Sequence, residues 1–575
     1  MNIKKILFEK IKNSYLISDQ NYFKFFKIKQ SKLSKFGHYQ MLGILKIAKI
    51  FNIKPKKLAN EIIQLFISDN ISEKIEFIQP GYINFFLKTS WIEKQLNNIY
   101  CKKNLGILSH DKKTIVLDYS SPNIGKEMHV GHIRSTIIGD AIARILCFLG
   151  HRVIKANHVG DWGIQFGMLL AKIKEHKNFN FSALTCSDLE HLYCESKKKY
   201  DIDMNFKKKS HYYTLQLQKK NKNCIYIWKK IKNISLKYNQ NIYEKLYVSL
   251  SYKNIMGESL YNDIVPDIIS DLKNKKLAII KSGNTVVILN EFKNKDGNPM
   301  GVVLQKSNGI HLYAATDIAC IKYRYDKFKA DKIIYYTDAR QTQHLAQIFM
   351  IVRKAKYIPV SVKLEHHTFG MILKQDGTPF KTRSGSTVKL LNLLQQATEQ
   401  AKNLIINKKP NIKIKELYPL AQAIGIGAIK YFELSKNRTT NYIFNWSSIL
   451  NFHGNTAPYM QYAYTRIISL LRKNQYKKFH KNLFILRCLE EKNLAISLLR
   501  FEESIIKTIK YGMPNILCDY LHNLCRIFSK FYEKCPILNI KDSGLKISRL
   551  QLVILTVRTL RIGLKLLGIP LIDRM

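Results

Sequence analysis

Apolar residues recur at helical spacing over most of this chain, and they bunch or alternate in a few short runs that read as strands. Near the start the pattern predicts helices over residues 3–15, 41–51 and 55–66, with Pro55 where a first-turn proline is tolerated. A hairpin of 75–78 and 82–87 is expected around Pro80-Gly81, and Lys102-Lys103-Asn104 reads as a linker. Residues 114–119 are apolar and strand-like. They feed a helix expected over 130–150, with Ile133, Ile137, Ala141, Ile145 and Leu149 on one face. Further strands are expected at 153–156 and 333–336, the second followed by a helix near 344–354. Between about 170 and 275 the pattern is helical and rich in lysine, as in an insertion. Beyond about 390 the expected helices cover 417–434, 459–472, 483–511, 515–534 and 548–567.

Strand–loop–helix alternation predicts a parallel, doubly wound sheet that binds ligands beyond the carboxyl ends of its strands. The expected fold class is therefore multidomain α/β. A small α/β domain covers 1–110, a Rossmann-type sheet domain covers 111–390 with a helical insertion at about 170–275, and an all-helical bundle covers 391–575. At 575 residues the chain is too long for one ordinary core, and 46% hydrophobic residues exclude general disorder.

A formal net charge of +52 points to a polyanionic partner, nucleic acid first. Saturation with Lys, Ile, Asn and Tyr is also what an AT-rich genome produces, so compositional drift stands as a second source of the charge. The 10 cysteines form no CxxC pair and no regular Cys/His spacing, which argues against disulfides or zinc and for a reducing compartment. His366 and His367 have no partners at ligand spacing and read as structural. The basic N-terminus is broken by Glu9 and Lys10 and lacks the apolar stretch of a signal peptide, and no run approaches the ~20 apolar residues of a membrane span. A cytoplasmic protein without membrane contact is expected.

The chemistry concentrates in Ser121-Pro122-Asn123-Ile124-Gly125-Lys126-Glu127-Met128-His129-Val130-Gly131-His132, between the first long apolar strand and its helix. A helix N-terminus offers unpaired N–H groups and a positive dipole end. Lys126, His129 and His132 add side-chain donors there, and the result suits a polyphosphate such as ATP. Their task would be to stabilise charge on a pentacoordinate α-phosphorus and departing pyrophosphate. No P-loop match is present. A second cationic loop spans Gly370 to Gly385, where Lys381 and Arg383 could close over phosphates. Asp118 lies just before the Ser-Pro-Asn turn, Tyr313 and Asp317 would share a helix face, and Gln341 follows a strand. Carboxylates at a phosphate site in so basic a chain suggest a cationic second substrate, and a guanidinium prefers planar, bidentate acceptors.

Taken together these stretches resemble the class I aminoacyl-tRNA synthetases, in their arginine-specific branch, over nearly the whole chain. His129-Val130-Gly131-His132 is similar to the HIGH motif. Residues 121–140, 156–167 and 370–385 resemble that branch, as do Gly454-Asn455-Thr456-Ala457-Pro458-Tyr459-Met460-Gln461-Tyr462-Ala463-Tyr464 and the closing residues 566–575. Residues 35–40 and 80–85 resemble its extra N-terminal domain. The resemblance implies that Ser121, Asn123, His132, Tyr313, Asp317 and Gln341, with Asp118, hold arginine. Asn123 and Gln341 would fix its α-amino and carboxylate groups, and Tyr313 and Asp317 would read the guanidinium. His129, Gly131, His132 and Lys126 would serve ATP. Tyr82 and Asn84 match positions at the tRNA elbow, and Tyr459, Gln461, Tyr462 and Arg466 lie on a helix that would hold the anticodon stem and loop. The KMSKS motif of the class is replaced by Phe380-Lys381-Thr382-Arg383-Ser384, and Lys126 is the implied substitute for its lysine.

The implied reaction has two steps. Arginine's carboxylate attacks the α-phosphate of Mg-ATP, and the arginyl group then passes to the 2′-hydroxyl of the terminal adenosine of tRNA(Arg), with bound tRNA needed for the first step. A monomer with no zinc and no editing domain is expected. A synthetase for another amino acid, a small-molecule nucleotidylyltransferase (such enzymes also use HxGH) and a catalytically silent RNA-binding protein are the alternatives. The long helical tail disfavours the second, and the presence of Lys126, His129 and His132 disfavours the third.

Overall fold

The N-terminal module pairs amphipathic helices with an antiparallel sheet. In chain order it contains α1 (Ile3–Lys12), β1 (Lys27–Gln30), β2 (Tyr39–Leu42), α2 (Ile44–Ile50), α3 (Pro55–Gln64), β3 (Ser72–Ile78), β4 (Tyr82–Leu87) and α4 (Thr89–Tyr100), with sheet order β1-β2-β4-β3. Helical spacing buries Ile3, Leu7 and Ile11 on α1 and Leu58, Ala59 and Ile62 on α3. This computed structural model describes residues 2–13, 20–31, 33–67, 69–107, 111–175, 179–373, 376–378, 388–443, 445–449, 451, 454–473, 484–537 and 540–572. The end of the first expected helix, residues 14 and 15, lies outside them. The expected helix over 41–51 begins later, at Ile44, because Met41 pairs with Ile83 in the sheet.

The central region contains β5 (Thr114–Asp118), α5 (Ile133–Phe148), β6 (Arg152–Ala156), α6 (Ile164–Ile173), α7 (Cys186–Ile202), α8 (Met204–Gln218), α9 (Lys222–Lys245), α10 (Val265–Asn274), β7 (Ala278–Lys281), β8 (Asn284–Lys293), β9 (Pro299–Gln305), α11 (Tyr313–Phe328), β10 (Lys332–Tyr335), α12 (Thr342–Lys354) and β11 (Lys363–His366). Strands β11-β10-β5-β6 form a parallel sheet in that order. Its register aligns Asp118 with Ala156 on one side and with Tyr335 on the other, and Tyr335 with His366. The connections diverge between β5 and β10, which creates the crevice where an open α/β sheet binds ligands. The antiparallel sheet β7-β8-β9 was not foreseen.

Helix α5 departs from the expected one-sided pattern. It is buried nearly all round, including Arg134, Ser135, Thr136 and Asp140. It lies between the sheet and the C-terminal helices, so its polar residues carry inter-element bonds instead of facing water.

The remainder comprises β12 (Ile372–Leu373), α13 (Leu390–Lys408), α14 (Ile414–Ser435), β13 (Tyr442–Ile443), α15 (Trp446–Ile449), α16 (Ala457–Lys473), α17 (Leu489–Leu499), α18 (Phe501–Tyr511), α19 (Asn515–Lys534) and α20 (Ser543–Leu566). The single helix expected over 483–511 is two, broken at Arg500. Arg500 donates to the carbonyl of His38 at 2.6 Å and lies over the Tyr39 ring, a long-range contact that local spacing does not encode. Tyr39 in turn donates to Glu503 at 2.8 Å, and Arg558 donates to the carbonyl of Lys102 in the supposed linker. One apolar core runs from the N-terminal module through α5 into the C-terminal helices. No helix among the described residues is long and apolar enough to cross a membrane.

Candidate active site

The turn after β5 is strained and heavily bonded. Ser120 and Ser121 sit at φ +72° and +49°, in the left-handed region that costs a non-glycine residue energy. Ser120 N donates to Ser135 Oγ at 2.9 Å, and Ser121 N to Asn157 Oδ1 at 3.1 Å. From α9, the Tyr243 hydroxyl bonds Ser120 Oγ and Asn157, and Ser235 Oγ accepts from Gly125 N. The lysine-rich insertion is therefore the back wall of this loop. Asn123 forms a parallel bridge with Gly160, and a side chain at 160 would strike Asn123 Oδ1 at 2.3 Å.

His129 and His132 cap the first turn leading into α5 reciprocally. His129 Nδ1 accepts from Gly131 N at 3.0 Å, and His132 Nδ1 accepts from His129 N at 3.2 Å. Gly131 is required because a Cβ there would meet the His129 ring at 2.7 Å. With both Nδ1 atoms accepting, each neutral ring carries its proton on Nε2 as a donor. Burial, then Lys126 and Arg340, push His129 down to about 4. Burial, then His129, push His132 down to about 3, against the bond from the His129 backbone. The motif therefore offers neutral imidazole donors beside one ammonium. Because the unfolded imidazoles take up protons first, the contribution of these two rings to stability is constant above about pH 6.5 and falls as pH drops from there toward 3. Histidine NMR is expected to show both rings as Nε2–H tautomers that do not titrate between pH 8 and 5. A midpoint near 6.5 for either ring would contradict this.

Across the crevice, Asp317 on α11 sits between two histidines. His344 Nε2 on α12 donates to Asp317 Oδ2 at 2.7 Å, and His158 Nε2, after β6, lies 4.0 Å from Oδ1. The Tyr313 ring is exposed, 4.9 Å from that of His344. Glu258 faces the same group. Burial raises its carboxyl to about 7, with His158 acting against the shift and Asp317 and Asp161 adding to it. Gln341 begins the turn into α12, three residues before His344. Asn123, His132, Tyr313, Asp317 and Gln341 thus all stand on segments that leave β5 and β10 at their carboxyl ends or that pack against those segments.

Some expected residues stand elsewhere. Asp118 is not free to meet a ligand: its Oδ2 accepts from the buried Arg324 Nη2 at 2.6 Å and its Oδ1 from Ser121 Oγ at 2.9 Å, so it shapes the turn. Asn84 is fully buried and accepts from Gln40, which corrects the expectation that its side chain meets RNA. Gln461 is likewise buried, donating to the carbonyls of Ala423 and Pro570 as a tie between helices. Tyr82 is partly exposed; on α16, Tyr462 is exposed, Tyr459 packs on His522 and Arg466 lies over the Tyr532 ring. Lys381 and Arg383 lie outside the described residues. The chain just after them does not: Val388 O accepts from Val130 N, Leu390 N donates to Met128 O, and Lys389 pairs with Glu127.

Glu258, His158, His344 and Lys389 were missed from sequence. Two carried a local signal: His344 lies one helical turn beyond Gln341, and His158 lies in the 156–167 stretch just after the expected strand 153–156. Cys488, Glu491 and Cys535 are grouped closely enough for a metal ion, but Glu491 already accepts from Arg549 and from the backbone N–H groups of Arg487 and Cys488.

Three family models match: "Arginyl tRNA synthetase N terminal domain" over residues 1–87, "tRNA synthetases class I (R), catalytic domain" over 95–446, and "DALR anticodon binding domain" over 460–575. The chain is 60% identical over 577 residues to an arginine–tRNA ligase of Wigglesworthia glossinidia brevipalpis and 51% identical to one of Blochmanniella pennsylvanica, each alignment covering 100% of both chains. The crystal structure of arginyl-tRNA synthetase from Plasmodium falciparum is similar at 31% identity and TM-score 0.85, covering 100% of this chain and 98% of that one. The Thermus thermophilus arginyl-tRNA synthetase shares the fold at TM-score 0.81 and 22% identity, covering 100% and 99%.

Proposed function

The chain belongs to the class I arginyl-tRNA synthetases, the ligases that use ATP to join arginine to tRNA, and on that premise we propose how its residues share the work. Asp317 and Glu258 take the arginine guanidinium, with Tyr313 along its side. The observation that carries this is electrostatic. In a chain of net charge +52, no lysine or arginine among the described residues pairs with either of these neighbouring carboxylates; the cation beside them is His158, which Cys320 and Asp118 hold protonated against burial. A delocalised planar cation fits two carboxylates, whereas a lysine ammonium would leave buried acceptors unpaired. Asn123, Ser121 and Gln341 fix the α-amino and carboxylate ends of arginine.

ATP enters as its Mg2+ complex, with its phosphates over the α5 end of the crevice. Lys126 and the Nε2–H groups of His129 and His132 donate to them as the arginine carboxylate attacks the α-phosphorus and pyrophosphate departs. Neutral imidazoles supply direction and Lys126 supplies charge, so the rate comes from positioning and preorganised electrostatics. Lys381 and Arg383 serve the same phosphates, and the chain after them, Val388 to Leu390, is tied to the histidine motif. The arginyl group then passes to the 2′-hydroxyl of the terminal adenosine, with tRNA bound before activation. The module over 1–110 meets the tRNA elbow through Tyr82. The helical region over 391–575 meets the anticodon arm through the α16 face bearing Tyr459, Tyr462 and Arg466, a reading the DALR match supports. The central domain spans 111–390, and the enzyme works as a cytoplasmic monomer.

Charging purified tRNA with each amino acid in turn tests the reading. Arginine alone is expected to be attached, with pyrophosphate exchange that depends on both arginine and tRNA. Exchange independent of tRNA would overturn the order of binding. Because the guanidinium binds ionised Glu258, kcat/KM for arginine should rise through a midpoint near pH 7 and level off by about pH 8. Glu258→Gln should flatten that limb and lower the plateau, and a flat wild-type profile would remove Glu258 from the pocket.

A further inference from the structure

We infer that Tyr193, on the helical insertion, is a positioning residue for Lys126, so that the insertion forms part of the ATP site. This rests on the reading of Lys126 as an ATP-binding group. The Lys126 Nζ lies 3.9 Å from the centroid of the Tyr193 ring. Tyr193 is half-buried on α7 and packs against the apolar cluster of Ile124, Phe166, Leu189 and Trp228. Ile124 precedes Lys126 by two residues, so the same cluster fixes both the backbone of the lysine and the ring beneath its ammonium.

The surrounding charges keep Lys126 uncompensated. The adjacent carboxylate, Glu127, is taken by Lys389, whose Nζ also donates to Ser187 Oγ at 3.2 Å on the same helix α7. Among the described residues Lys126 forms no ion pair with a carboxylate. A carboxylate partner would cancel the charge needed for phosphate. An aromatic face attracts the ammonium through its quadrupole and leaves the formal charge and the N–H donors available. A lysine chain loses much rotamer freedom when it is held, and a ring that restrains it beforehand reduces what ATP binding must supply. The Lys126 charge also acts on both His129 and His132, so it already stands within their field.

The test uses the full-length enzyme with tRNA and arginine in pyrophosphate exchange. Tyr193→Leu is expected to raise KM for ATP about five- to ten-fold while KM for arginine stays within about two-fold. Tyr193→Phe, which keeps the π face, should stay within about two-fold of wild type for both substrates. Tyr193→Met refills the volume without a π face and repeats the test should leucine disturb the insertion. On a Lys126→Met background the loss of the ring should add less than about two-fold, as a coupled pair requires. Equal effects in both backgrounds, a phenylalanine variant as damaged as leucine, or an unchanged KM for ATP in both the leucine and methionine variants would overturn the inference. Lys126→Met leaving ATP use intact would instead overturn the role of Lys126 itself.

Discussion

Asp317→Asn is expected to lower kcat/KM for arginine by about 30- to 4000-fold, with KM for ATP within about two-fold of wild type. The substitution is isosteric, and the asparagine oxygen can still accept from His344. What is lost is the negative charge against the guanidinium. Truncating one partner of an enclosed charge pair costs about 2–5 kcal/mol, and each 1.4 kcal/mol is a factor of ten. The proposed ATP side stands apart, in the turn leading into α5, where His129 and His132 are held by each other's backbone and by Gly131 and not by Asp317. Separate titrations of arginine and ATP in the exchange reaction read the two effects independently. An arginine kcat/KM within three-fold of wild type would remove Asp317 from the guanidinium site.

The second large effect is on stability. Arg134 on α5 and Glu433 on α14 form an ion pair at 2.5 Å with both side chains 1% exposed. The same guanidinium donates to the carbonyls of Gly370 and Thr440 at 2.9 Å each, and the Tyr442 hydroxyl donates to Glu433. Arg134→Met would leave a buried carboxylate without its cation, which costs about 3–5 kcal/mol. A fall of several degrees in the unfolding midpoint is expected. Arg134→Met with Glu433→Leu removes both charges and should recover at least half of the loss, because the penalty lies in the orphaned charge more than in the lost attraction. A single variant as stable as wild type would show that Glu433 finds another partner. Gly370 opens the segment leading to the second cationic loop, so activity should fall with stability in the single variant.

The helix pattern was legible where burial is one-sided. Asn515–Lys534 was read to the residue, because its apolar stripe faces the core and its other face meets water. Helix α5 exists where expected, yet its apolar stripe misjudged its surroundings. Elements on every side bury it, so Arg134 and Asp140 lie inside. The β7–β8 hairpin had a local mark in Ser282-Gly283, both at positive φ, but β7 has only four residues and follows a lysine-rich stretch. Asn84 and Gln461 sit in motifs of the right family and yet are buried, because likeness of sequence says which residues are present and not which way they face.

The histidine motif of the proposed phosphate site was determined by the sequence alone. His129, Gly131 and His132 lie within one turn of chain, where local backbone bonds fix their mutual placement, and Lys126 stands three residues before them. The proposed guanidinium half was decided by tertiary structure. Asp317, His344, His158 and Glu258 come from four separate segments and meet only because the strand order sets β5 beside β10 and folds the insertion back over both. Their charges attract or repel only at the distances packing creates. No spacing along the chain carries that information.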